Sequence, residues 1–286
     1  MERLTESNIA QCQEEFDLTY HVPYAYHCLK LLGFENKDVL EVGGSLPEKF
    51  VFKNLGARSW TALESPEYEE SLAEAGGLTH KGTLLKKANI DIVQGFQTPL
   101  SKPYLLNIAN VEDLPVSYNS SFDLIFSIAT FEHISKMPQA LNRMYKALKQ
   151  GGSVFIHSCP IWSSHDGHHL PKIKDKNNIE WGGKNPIIPP WGHLYLTPPK
   201  MMQYLQTKTD FETASLMIYY IYNSPFINRL FFEDFTEFVQ QTPFIEKKVD
   251  GIYYREVPGE FAKYLNLLYP CNRNFQCNGI QIVLKK

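Results

Sequence analysis

Short apolar runs alternating with helical patterns constrain this chain more than any other feature. Residues 38–42, 59–64, 104–109, 122–127 and 153–157 each read as a strand. Residues 46–56 fit a helix, with Ser45 as its N-cap and Pro47 in the first turn. A polar helix is expected after Glu64, reaching about Ala75. Residues 137–149 have helical periodicity and stop at Gly151-Gly152. Strands this apolar are buried on both faces. Their alternation with helices predicts βαβ units and a parallel sheet covered on both sides.

The remainder is less regular. Residues 76–103 read as an insertion or long loop with one apolar patch, Ile90 to Val93. Residues 158–200 are rich in Pro, Gly, His and Trp, and a loop this long usually covers or binds something. A helix at 198–207, a strand at 214–222, a largely helical aromatic stretch at 225–270 and a last strand at 280–284 complete the reading. The expected organisation is a helical lead-in (1–35), a ligand-binding core (36–157), and acceptor-binding insertions that also complete the sheet (158–286). A length of 286 residues suits two domain-sized units or one domain with a large insertion.

Composition narrows the function classes. With 43% hydrophobic, 21% charged and 13% aromatic residues, the chain has the means to bury a core. A net charge of −3 argues against sequence-independent nucleic-acid binding. No apolar run approaches the roughly 18 residues of a membrane span. The polar opening Met1 to Glu15 predicts no secretory signal. Five scattered cysteines without a C-x-x-C pair predict a reducing, cytoplasmic setting and no structural zinc.

Three features align in order along the expected strands. Glu41-Val42-Gly43-Gly44-Ser45 closes the first strand, where glycines permit a tight turn and close backbone approach to a ligand. Glu64 closes the second strand about 20 residues on, where an acid can bind ribose hydroxyls. Asn110-Val111-Glu112-Asp113-Leu114-Pro115 follows the third. Taken alone, the glycine pair is more often a plain turn and Glu64 more often a solvated strand end. Together they favour an adenosine-type cofactor. G-x-G-x-x-G and G-x-x-x-x-G-K-[ST] are both absent, which argues against a dinucleotide and a P-loop. Glu41 beside the turn disfavours phosphate and suits a ligand with a positive amino group.

The series Val39 to Gly44, Ala62-Leu63-Glu64, Asn110 to Pro115, Phe122 to Ser127 with Phe131-Glu132-His133-Ile134, and Ala147 to Gly152 resembles the motifs of class I S-adenosylmethionine-dependent methyltransferases over about residues 36–157. The resemblance implies an α/β, Rossmann-like, doubly wound, mostly parallel seven-stranded sheet, with helical and loop insertions forming a substrate lid. It implies S-adenosylmethionine as cofactor. Glu41, Gly43, Gly44 and Ser45 would meet the methionine end, and Glu64 the ribose. Asn110, Val111 and Glu112 would meet the adenine, and Ser127 and His133 the sulfonium region. Ser45 and Pro47 depart from the family's later glycines, and Asn110 replaces its usual Asp.

In the second half, His165-Asp166-Gly167-His168-His169 and Pro189 to Tyr195 follow the fifth strand, where loops of this fold surround the ligand crevice. Oxygen methylation needs a positioned, deprotonated nucleophile, and imidazole titrates in the useful range. His165, His168 and His169 are therefore candidate bases, with Asp166 to orient one of them. A metal held by these residues and a merely solvated loop are the alternatives; no metal is expected. The His/Trp/Pro segment and the closing strand resemble methyltransferases of bacterial surface-polysaccharide biosynthesis. That implies a small-molecule, nucleotide-activated or glycan acceptor, methylated on a sugar hydroxyl or phosphate-type oxygen, with Lys172, Lys174, Lys176 and Lys184 near it in sequence. A nicotinamide-dependent oxidoreductase and a non-catalytic binding module are the competing classes.

Overall fold

The computed structural model describes residues 3–44, 46–66, 92–183, 185–225, 227–271 and 273–286. The expected polar helix after Glu64, Ser45 and Lys184 fall outside these residues, apart from the first positions of that helix. Helices α1 (Ile9–Phe16) and α2 (His21–Leu31) precede β1 (Asp38–Val42), a short α3 (Glu48–Phe50) and β2 (Ser59–Glu64). Then come β3 (Ile92–Gln94), β4 (Tyr104–Ile108), β5 (Phe122–Ile128), α4 (Met137–Ala147) and β6 (Leu148–Ser158). The second half contains a small ribbon, β7 (Ile173–Lys174) and β8 (Glu180–Trp181). It continues with α5 (Gly192–Tyr195), α6 (Pro198–Gln206), α7 (Phe211–Ile218), α8 (Phe232–Gln240), β9 (Glu246–Ile252), α9 (Gly259–Leu268) and β10 (Gly279–Lys285).

The main sheet has the order β3-β4-β2-β1-β5-β6-β10-β9. Neighbours from β3 to β6 are parallel, whereas β10 runs antiparallel to both β6 and β9. This is the expected seven-stranded Rossmann-like arrangement with one more strand, the three-residue β3, at its edge. The strand order reverses beside β1, so β1, β2, β4 and β5 end around a common crevice.

Each face of the sheet carries its own core. Leu40, Val42, Ile125, Val154 and Ile156 pack with Ala140, Leu141 and Met144 of α4 and Phe235 of α8. On the other face Val39, Trp60, Ala62 and Phe126 pack with Phe16, Val22, Ala25 and Cys28, so the N-terminal helices cover the sheet. A third cluster gathers Trp162, Leu170, Trp191, Met201, Met217, Tyr220, Phe231 and Leu265, all from the second half. No helix among the described residues is long and apolar enough to cross a membrane.

Several boundaries differ from expectation. Pro47, not Ser45, is the N-cap of α3, because the Leu46 N–H turns to the Glu41 carboxylate and keeps the loop extended one step further. The turn Val51–Leu55 that follows is π-helical. Gly151-Gly152 does not stop a helix. The helix ends at Ala147, and β6 passes through both glycines, with a register shift against Phe122/Leu124 absorbing them. Lys149 holds that stretch by pairing with Asp38 and Asp123.

Residues 214–222 form the end of α7 and a π-helical turn rather than a strand. Asp210 caps α7 by accepting the Thr213 N–H at 3.1 Å, and Ala214, Met217, Tyr220 and Ile221 bury one helical face. The missing strand is β9, inside the stretch expected to be helical. Its sequence, Glu-Lys-Lys-Val-Asp-Gly-Ile, is polar because it lies at the sheet edge. Within 76–103, residues Ile92–Gln94 are likewise strand, not loop.

Two buried histidines tie these layers together as neutral groups. His157 of β6 contacts the Tyr253 hydroxyl through Nε2 at 3.2 Å, and its ring lies 4.0 Å from that of Tyr24. His193 donates from Nε2 to the Trp162 carbonyl at 2.8 Å. Burial lowers both to a pKa of about 4. The unfolded chain, at about 6.5, then takes up protons first as pH falls. Stability is complete above about pH 6.5 and should drop between there and about pH 4, by ~1.4 kcal/mol per pH unit for each histidine. Urea midpoints measured across this window check it, and a His193→Gln variant should show a shallower decline.

Candidate active site

The site grows from the end of β1. Leu40 and Val42 face one core and Val39 the other, which sends the Glu41 side chain toward Trp60. Its carboxylate is fully buried and accepts the Trp60 indole N–H at 2.7 Å and the Leu46 N–H at 3.3 Å. Glu41 therefore shapes the turn from beneath. Gly43 and Gly44 both donate to the Leu63 carbonyl, at 2.9 and 2.8 Å. Gly43 has φ +79°, and a Cβ there would lie 1.8 Å from Thr130 Oγ1. A Cβ on Gly44 would lie 2.5 Å from that of Ala62. Neither position admits a side chain. Ser127, buried at the end of β5, donates its hydroxyl to the Val42 carbonyl at 2.8 Å and locks the turn to β5. It positions the loop.

Glu64 is buried at the end of β2, where its carbonyl accepts the Ala109 N–H at 2.8 Å. Asn110 follows β4 and precedes the 3₁₀ turn Val111–Asp113, accepting the Asp113 N–H at 3.1 Å through its carbonyl. Val111 is buried in the core. Glu112 turns elsewhere: its carboxylate takes a hydrogen bond from the Lys136 backbone at the start of α4, and burial raises its pKa. The Gln139 amide donates to its carbonyl at 2.9 Å. Glu112 thus docks the turn onto α4, where the helix dipole favours an anion.

This set fits the expected cofactor. A glycine turn closed to side chains, a buried carboxylate at the end of β2 and an amide after β4 surround one crevice at the strand ends. Glu64 suits a ribose diol, and the Asn110 side chain can accept from an amino group.

The turn after β5 reveals residues that the sequence did not assign. The Thr130 and Phe131 N–H groups both donate to Ser158 Oγ, at 3.2 and 2.9 Å, and the Ser158 hydroxyl donates to Glu132 Oε2 at 2.5 Å. Glu132 is fully buried, and burial lifts its carboxyl to a pKa of about 7. Burial, with the field of Glu132 adding to it, raises Tyr20, the residue that precedes α2, to about 12. Tyr24 of α2 meets Cys159 Sγ at 3.7 Å through its hydroxyl. The signal for Glu132 was an acid inside the apolar run Phe131 to Ile134.

The histidine segment divides. His165 Nδ1 lies 3.4 Å from Asp166 Oδ1, and the Ser164 hydroxyl steadies that oxygen at 3.1 Å. The Trp191 N–H holds the His165 carbonyl at 2.7 Å. Burial lowers the His165 pKa, with Asp166 pulling the other way. His168 accepts the Leu170 N–H through Nδ1 at 3.0 Å, and burial beside His193, His169 and His165 keeps it neutral. His168 is a packing residue. His169 packs edge-on against His133, with ring centroids 4.8 Å apart, so His133 and His169 meet at the end of β5. Lys172 pairs with Glu180 at 3.2 Å on the β7–β8 ribbon, and Lys174 and Lys176 are exposed.

Residues 70–156 match the family described as "Methyltransferase domain". No curated protein matches the chain. Among solved structures, an S-adenosylmethionine-dependent methyltransferase from Mesorhizobium loti is similar at 11% identity and a TM-score of 0.48, covering 95% of this chain and 100% of its own. A Thermotoga maritima protein described as a possible histamine N-methyltransferase is similar at 14% identity and a TM-score of 0.44, covering 98% of this chain and 95% of its own.

Glu64→Ala should weaken S-adenosylmethionine binding about 10- to 150-fold, the worth of roughly 1.5–3 kcal/mol for a hydrogen bond to a charged acceptor. Calorimetric titration checks this, with unchanged affinity counting against the placement of the ribose. The sheet order, the crevice at the ends of β1, β2 and β4, and the domain match lead to one reading: the chain carries a methyltransferase domain, matched over residues 70–156, on a Rossmann-like fold whose implied cofactor is S-adenosylmethionine.

Proposed function

We propose that the enzyme methylates a hydroxyl oxygen of a small-molecule acceptor, with His165 as the proton acceptor and Asp166 orienting it. The observation that carries this reading is the His165–Asp166 contact at 3.4 Å, braced by Ser164, in the same segment that brings His169 to the end of β5. A hydroxyl must lose its proton to attack well, and a neutral imidazole beside a carboxylate meets that need. When bound, the cofactor supplies a methyl group on positively charged sulfur. The chain's own part is to hold the acceptor against that methyl and to receive the proton.

A neutral hydroxyl fits better than a phosphate-type oxygen, because Lys172 is engaged by Glu180 on a separate ribbon. Within hydroxyl acceptors we favour a sugar of a glycan precursor for bacterial surface polysaccharide, on the resemblance of the His/Trp/Pro segment and closing strand. Five unpaired cysteines support a reducing, cytoplasmic setting. The binding-module and nicotinamide readings are not favoured, given the domain match and the absent dinucleotide motif.

Transfer of labelled methyl to a panel of sugars and activated sugars tests the acceptor class. On an accepted substrate, His165→Ala and Asp166→Asn should lower kcat, His165→Ala by about 10²- to 10⁴-fold, while cofactor affinity stays unchanged. Because burial holds His165 below the ordinary imidazole value, kcat should be flat through neutrality and fall only on the acid side. His165→Ala should lose that acid limb. Full activity in the variant removes the assignment.

A further inference from the structure

The turn after β5 and the segment after β6 bring together three side chains that the proton transfer proposed above does not use. Glu132, His133 and His169 each offer one ligand atom, and these atoms lie within 4.8 Å of one another. Glu132 is wholly excluded from solvent. The Ser158 hydroxyl holds its Oε2, while Oε1 has no hydrogen-bond partner among the described residues. A buried carboxylate oxygen in that condition is costly unless a cation or donor meets it. His169 donates a ring N–H to the Pro160 backbone, which sets the lone pair on its other nitrogen. Metal-bound imidazoles characteristically make this outer hydrogen bond.

We propose that Glu132, His133 and His169 bind a divalent transition-metal cation beside the methyl acceptor. Two imidazoles and a carboxylate suit borderline ions such as zinc, cobalt or manganese, and three protein ligands leave a position open. Bonds of about 2.0–2.2 Å require the donor atoms to draw closer than in this arrangement. The position of the group gives the ion a use that rests on the hydroxyl-acceptor reading. An acceptor oxygen at the open position would be polarised, and its proton would pass more readily to His165. The ligand set differs from the His165-Asp166-x-His168-His169 cluster weighed from sequence. His168 is committed to the Leu170 N–H, and Asp166 to His165 and Ser164.

The test is titration of the chelator-stripped full-length protein with Co²⁺ alone, without acceptor or cofactor, followed by visible ligand-field absorption. Equimolar binding is expected, with Zn²⁺ displacing Co²⁺. His133→Gln, His169→Gln and Glu132→Gln should each weaken it by about 100-fold or more. His133 is only half-buried, so its variant remains informative if a substitution at buried Glu132 disturbs folding. Absence of equimolar binding, or binding indifferent to His133→Gln and His169→Gln, overturns the proposal. A parallel titration with S-adenosylmethionine separates the two readings. Lost metal binding with intact cofactor binding removes the cation alone, whereas lost cofactor binding in the parent protein strikes the methyltransferase site itself.

Discussion

The buried carboxylate of Glu41 is the constraint on which the rest of the site depends. It sits on the face of β1 that packs against Trp60, and it is fully enclosed. An enclosed charge is tolerated only when donors surround it. Here the donors are the Trp60 indole on β2 and the Leu46 N–H in the loop. The one interaction therefore fastens β1 to β2 and also dictates where the loop leaves β1. Tyr104 of β4 completes the anchor by donating its hydroxyl to the Leu46 carbonyl at 2.8 Å. Three adjacent strands are thus tied to one turn before any ligand is considered.

Ser158 plays the corresponding part on the other side of the crevice. Its single oxygen accepts two backbone N–H groups from the turn after β5 and its hydroxyl donates to Glu132. Ala129, in the left-handed region with φ +46°, can hold that conformation because the turn is fixed at both ends. The Asn228 side chain adds bonds to the Phe131 and Ile134 carbonyls, and its N–H donates to the Glu132 carbonyl. Glu132 and His133 are thereby held by β6 and by the second half of the chain together. The two halves of the chain meet at these two groups.

The legible part of this molecule was the part whose burial is two-sided. β1, β2, β4 and β5 lie inside the sheet, so their sequences are apolar runs, and their ends were read to within a residue. β9 escaped because an edge strand draws its stability from pairing with β10 along its whole length, which leaves no apolar alternation to read. Ala214 to Tyr222 misled for the opposite reason. Its Ile and Tyr residues favour strand by type, yet the Asp210 cap and a third apolar cluster make it helical. Glu41, the two glycines, Glu64 and Asn110 could be placed at or just after strand ends because the apolar runs announce those ends. Glu132 and Ser158 were not, because their importance comes from a contact between positions 26 residues apart.

The third apolar cluster also explains why a histidine-rich segment need not be a charged one. Trp162 packs edge-on against His193 and His193 edge-on against His168, with ring centroids 4.5 and 5.6 Å apart, and the backbone supplies each histidine ring with one hydrogen bond. Protonating either ring would place a cation in that enclosure with no anion as its direct partner among the contacts described, and burial resists it. His165 differs because Asp166 stands beside it and its side chain keeps some solvent access. A proton can therefore arrive there and be stabilised, while the neighbouring rings stay neutral. On the proposed reading, the segment separates packing from proton handling by the position of one aspartate, and this is what sets His165 apart within a run of otherwise similar residues.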